Sequence, residues 1–272
     1  MNDFLKKEDW EEPRCLLNMH PETERIPVRR VLEKLDAFLS RNDYEAAERH
    51  LAFWVAEADA GNDSRGKLTL LNEQIGLYRK LGREREAMQA VDAALSLAAT
   101  MDMEGSVTFG TTLINAATAY KAFGRAEEAL PLYRKARVIY ESGLRPEDDR
   151  LGGLYNNMAL ALTELGSFRE AEDLFGRALT VMAAQEHGQA EAAITWLNLA
   201  DLVTAEEGPE AGEEKVFSYL EKAEALLNTE SIPRDGNYAY VCEKCAPVFG
   251  YYGWFLFEKE LAERARAIYE RA

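Results

Sequence analysis

A recurrence of roughly 42 residues, within the range of helical repeat arrays, constrains this chain more than any other feature. Short polar or glycine-led pairs mark it at nearly even intervals: Asn42-Asp43, Gly82-Arg83, Gly124-Arg125 and Gly166-Ser167. Each pair has an apolar, periodic segment on both sides, the pattern of a helix end, a tight turn and a new helix. A hairpin repeated at a fixed period cannot bury its apolar face alone, so it must stack on its neighbours.

Aligning the segments on the turn brings other positions into agreement. Four residues before it stand Phe38, Tyr78, Tyr120 and Leu162, and seven before it Leu35, Ile75, Ala117 and Ala159. Five residues after it every segment has alanine (Ala47, Ala87, Ala129, Ala171), and nine after it come Leu51, Val91, Tyr133 and Phe175. Spacings of three, four and seven put these side chains on one helical face. The small residue lets two antiparallel helices approach, and the large ones fill the seam between hairpins. A fifth unit is visible in Trp196, Leu199, Ala200 and Val203, followed after a longer turn by Val216, Leu220 and Ala223. A sixth is predicted with Phe249, Tyr252, Gly253 and Leu256 on its first helix, and Ala265, Tyr269 and Ala272 on its second. Strand signals are almost absent. The reading is one all-α solenoid over residues 28–272, with repeats starting near residues 28, 68, 110, 152, 193 and 246. Residues 1–27, broken by Pro13, Pro21 and Pro27, are either an N-terminal cap or an arm.

The segments LYNNMALALTELGSFREAEDLFGRALTVM and TLINAATAYKAFGRAEEALPLYRKARVIY carry a large–x–x–small pattern, a Gly-x-aromatic/small-x-x-Ala turn and an aromatic-x-x-Ala pattern. In these positions the chain resembles the tetratricopeptide repeat (TPR) family, well from Val28 to Leu227 and loosely from Tyr238 to Ala272. The common form of that family has a shorter period, about 34 residues. The longer period here is similar to the repeats of kinesin light chains. The resemblance implies a right-handed α-α superhelix of about six hairpins, acting as a scaffold or adaptor that holds a protein or peptide in its concave groove. The alternative it leaves open is a peptide-sensing bacterial regulator without its own DNA-binding domain.

In the family, first helices line the groove and asparagine at their sixth position grips the ligand backbone. An amide suits that task because it both donates and accepts. The matching positions here include Asn115, Asn157 and Asn198, with Asn72 and Asn156 one residue before that position. Arg79, Lys121 and Asp201 are further candidates. The cations read either as groove contacts for a carboxylate or as ordinary helix-end charges favoured by the helix dipole. The segment NYAYVCEKCAPVFGYYGWFLF is dense in aromatic rings, and within it Tyr251 and Trp254 are predicted to face the groove. The rest of that helix is either buried on several sides or an interface.

No catalytic or cofactor chemistry is predicted. Cys242 and Cys245 lack the further ligands a structural zinc site needs, and His20, His50 and His187 are scattered. No phosphate loop or nucleophile elbow occurs. The net charge of −16 repels nucleic acid and anionic membranes. No signal peptide or apolar span is visible, and the three cysteines fit a reducing compartment, so a cytoplasmic protein is expected.

Overall fold

A computed structural model describes residues 25–271, which form twelve α-helices and no strand. The expectations for His20 and Ala272, and for a cap or arm over residues 1–27, lie outside the described residues or largely so. The described chain falls into two compact units divided after Glu104. The first holds two hairpins, α1 (Val28–Leu39) with α2 (Tyr44–Ala60), and α3 (Ser64–Lys80) with α4 (Glu84–Thr100). The second holds four: α5 (Val107–Ala122) with α6 (Ala126–Gly143), α7 (Asp149–Glu164) with α8 (Phe168–Ala183), α9 (Gln189–Glu207) with α10 (Glu213–Leu227), and α11 (Gly236–Tyr251) with α12 (Phe255–Tyr269).

All six turns within hairpins use one device. A residue with positive φ closes the first helix: Asn42, Gly82, Gly124, Gly166, Gly208 or Gly253. Glycine takes this conformation without a steric penalty, and asparagine tolerates it. In five turns the next residue donates its N–H back five positions, as in Arg83 to Tyr78 (2.9 Å), Ser167 to Leu162 (2.8 Å) and Trp254 to Phe249 (2.9 Å). This closure satisfies carbonyls the helix end would leave unpaired. In three of these turns the residues it joins also pack ring to cation or ring to ring, Trp254 on Phe249 being one. The Arg83 guanidinium lies 5.1 Å from the Tyr78 ring centre and Arg125 lies 4.6 Å from Tyr120.

Most of the aligned positions form the core; Phe38, Tyr78 and Tyr120 at the four-before position are partly buried. Ala47, Ala87, Ala129 and Ala171 are fully buried, and so are Leu51, Val91, Tyr133 and Phe175. In the second unit the first helices also lie side by side, α5 against α7, α7 against α9 and α9 against α11. They form one layer, with the second helices packed behind them.

The sixth hairpin departs from the sequence reading. Its first helix starts at Gly236, and Gly253 is its turn glycine, so Leu256 lies on the second helix. The physical reason is an exchange of sizes. Five residues past the turn stands Glu258 instead of alanine, and the small residue sits opposite it at Gly250. A Cβ at Gly250 would come within 2.4 Å of the Glu258 carboxyl group.

Candidate functional site

Each junction between neighbouring first helices of the second unit is tied by polar side chains. At α5–α7, Lys121 Nζ reaches Glu164 Oε1 at 3.2 Å. At α7–α9, the Asn156 carbonyl oxygen accepts from Asn198 Nδ2 at 2.9 Å and from Thr195 Oγ1 at 3.2 Å. At α9–α11, the Tyr252 hydroxyl donates to Asp201 Oδ1 at 2.8 Å and lies 2.9 Å from Thr204 Oγ1. Asn237 also donates to Glu191 across this junction at 3.2 Å.

These ties redefine the predicted groove residues. Lys121 holds α5 to α7, so its charge is met within the chain. Asn156 and Asn198 are structural partners of each other. Asn157, one residue from the tie, is half-buried and makes no side-chain hydrogen bond among the described residues. Asn115 occupies the matching place on α5, is also half-buried and has polar interactions of its own. Asn72 and Arg79 lie on α3 in the first unit. There Asn72 donates to the Leu68 carbonyl within its own helix (2.9 Å), and Arg79 is exposed.

Asp201 is exposed as a residue, yet its carboxyl group is partly desolvated. Burial raises its pKa, and the Tyr252 hydrogen bond only partly offsets this. Burial, then the nearby Asp36, likewise raises Glu73 on α3. A raised carboxylate pKa means the native state holds its proton more tightly than the unfolded chain does. The resulting stability is present below the ordinary carboxylate value and is lost as pH rises through the folded value. Asp201→Asn keeps an acceptor for Tyr252 and removes the penalised charge. Thermal melts at neutral pH should show a small stabilisation, below about 1 kcal/mol because solvent screens the group. The gain should vanish at acid pH, and a loss of stability at neutral pH would contradict it.

Trp254 and Tyr251 stand at the turn of the sixth hairpin. Trp254 is the N-cap residue of α12, in the turn, with its ring centre 5.6 Å from Phe249 and 5.5 Å from Phe217. Its place follows from Gly253: the residue after the turn glycine packs back on the residue four before that glycine, as Arg83 does on Tyr78. Tyr251 ends α11, is 74% exposed and meets Tyr252 edge-on at 5.0 Å. Phe217, half exposed on α10, is the aromatic neighbour the sequence reading missed.

Among the described residues no group of three or more His, Cys, Asp or Glu is placed to hold a metal ion. Cys242 and Cys245 are buried free thiols on α11. Burial pushes Cys245 up to about 12, which leaves it protonated and unreactive at neutral pH.

The pairing of helices, the shared turn and the tied layer of first helices are all features of a helical repeat. Residues 110–146 and 152–196 match the profile of the tetratricopeptide repeat family. These two segments are tetratricopeptide repeats. Similar solved structures include kinesin-light-chain-like, nearly identical TPR-like repeats from Podosopora anserina. That match has a TM-score of 0.54 at 20% identity and covers 75% of this chain and 95% of that one. BtubC (BKLC) from P. vanneervenii matches with a TM-score of 0.50 at 19% identity, over 90% of this chain and 91% of that one. No curated protein sequence gives a significant match. The two matched tetratricopeptide repeats are α5–α6 and α7–α8, together with the start of α9, the segment that carries Asn115 and Asn157 and ends just before Asn198. No described helix is long and apolar enough to cross a membrane.

Proposed function

We propose that this chain is a non-enzymatic interaction scaffold, and that the face formed by α5, α7 and α9 receives an extended segment of a protein partner. The tetratricopeptide repeats support the scaffold role. The observation that carries the location is Asn157. Its amide sits half-buried on the middle first helix and has no hydrogen-bond partner among the described residues. Its amide atoms are open to solvent, and a peptide backbone can meet both the donor and the acceptor. The Asn156–Asn198 tie beside it fixes the spacing of α7 and α9, so the site is preorganised.

The same reading assigns Asn115 to the ligand and Asn156 to the framework. It disfavours nucleic acid, because a chain of net charge −16 repels phosphate backbones. The test is hydrogen exchange on the full chain, alone and with a protein captured from its native cells. Amides of α5, α7 and α9 should exchange more slowly in the complex, while α6 and α8 stay unchanged. Protection confined to α6 and α8 would move the interface to the opposite face and sink the proposal.

A further inference from the structure

A second surface lies at the turn end of the last two hairpins. The longer turn after α9 and the turn after α11 meet there around a cleft of about 280 Å³. Phe217, Tyr251, Tyr252 and Trp254 form its aromatic walls, and Pro209 and Glu213 its rim. Phe217 and Tyr251 are 50% and 74% exposed, an unusual amount of ring surface to leave in water.

Three observations say what chemistry fits. First, the protein repeatedly seats its own cations on its own rings. Arg177 lies 4.2 Å from the centre of Tyr155, and Lys222 lies 4.2 Å from the centre of Trp196. The four rings of the cleft have no such cation among the described residues. Second, the turn that borders the cleft is acidic. Glu213 lines the cleft. Glu206, Glu210 and Glu214 stand on the same turn or at the helix ends beside it; all four are exposed and have no ion pair among the described residues, while Glu207 is paired with Lys215. Third, the acidic turn is held in place. Gly212 is buried against Val203, where a Cβ would come within 2.6 Å of that side chain, and its N–H donates to the Gly208 carbonyl at 3.2 Å. Electron-rich ring faces bordered by fixed carboxylates attract a cation, and attract a guanidinium most because it is weakly hydrated and stacks flat.

We infer that this cleft binds an arginine or lysine side chain of a basic protein segment, through ring faces inside and carboxylates at the rim. None of Asn115, Asn157 and Asn198 lines this cleft, so either proposal can fail without the other.

The test is fluorescence anisotropy of the full chain with a short labelled peptide of alternating arginine and serine, and with its citrulline counterpart. Citrulline keeps the shape and removes the charge. The arginine peptide should bind saturably and at least about tenfold more tightly than the citrulline one. Tyr251→Ala and Phe217→Ala remove exposed rings, so folding should survive, as circular dichroism would confirm. Each should weaken binding about threefold to thirtyfold. Glu213→Gln combined with Glu214→Gln should weaken it as well, and Asn157→Ala should leave it unchanged. Three results would each overturn the inference. These are no saturable binding, equal binding of the citrulline peptide, and binding that depends on the glutamates but not on either ring.

Discussion

Phe175→Ala should lower the stability of the second unit by about 3–5 kcal/mol, the usual penalty for emptying a fully buried aromatic site. Phe175 has no solvent exposure and stands nine residues past its turn, where Leu51, Val91 and Tyr133 stand in the preceding hairpins. Its helix packs on α7 within the hairpin and on α9 of the next. The cavity would therefore weaken both the hairpin and the seam that holds the array together. In a repeat protein stability is close to a sum of unit and neighbour terms, so one substitution acts on two of them. For a unit of this size the loss corresponds to a drop in Tm of about 10 °C. Denaturant unfolding followed by circular dichroism reads it. Phe217→Ala is the control: its ring is half exposed, and it should cost far less. Equal effects would mean the nine-after position is not the seam.

What was legible in the sequence follows from which signals are local. A glycine that must adopt positive φ marks its own turn, and an alanine row at one offset marks the close approach of two helices. Four hairpins could be read from these signals. The fifth turn carried its own signal, since Gly208 falls one full period after Gly166 and has positive φ, although the turn beyond it is longer. The sixth was misplaced because both local signals moved. Glu258 replaced the alanine, Gly250 took over the small position on the other helix, and aromatic neighbours obscured the turn at Gly253.

Site residues were harder to read, because their roles depend on contacts between groups a full repeat apart. Nothing adjacent to Lys121 foretells Glu164, and nothing adjacent to Asn156 foretells Asn198. Both pairs join neighbouring first helices and space them. Asn157 stays available because it lies a single residue, about 100° of helix, from that tie. Phe217 belonged to a second helix and had no place in an argument about first helices. Only the meeting of two turns brings it to Trp254.

The proposed binding face rests on Asn157, and the affinity of the captured partner tests it most directly. Its dissociation constant should be determined for the wild-type chain and for Asn157→Ala, by calorimetry or by a surface-binding assay. Asn157 has no partner among the described residues, so the substitution should leave Tm nearly unchanged while removing hydrogen bonds to the ligand backbone. Loss of a central polar anchor costs about 2 kcal/mol, roughly a thirtyfold weaker complex. That weakening, with an unchanged melt, is the expected result. An unchanged dissociation constant would contradict it, and would remove the α5, α7 and α9 face as the place where the partner is held.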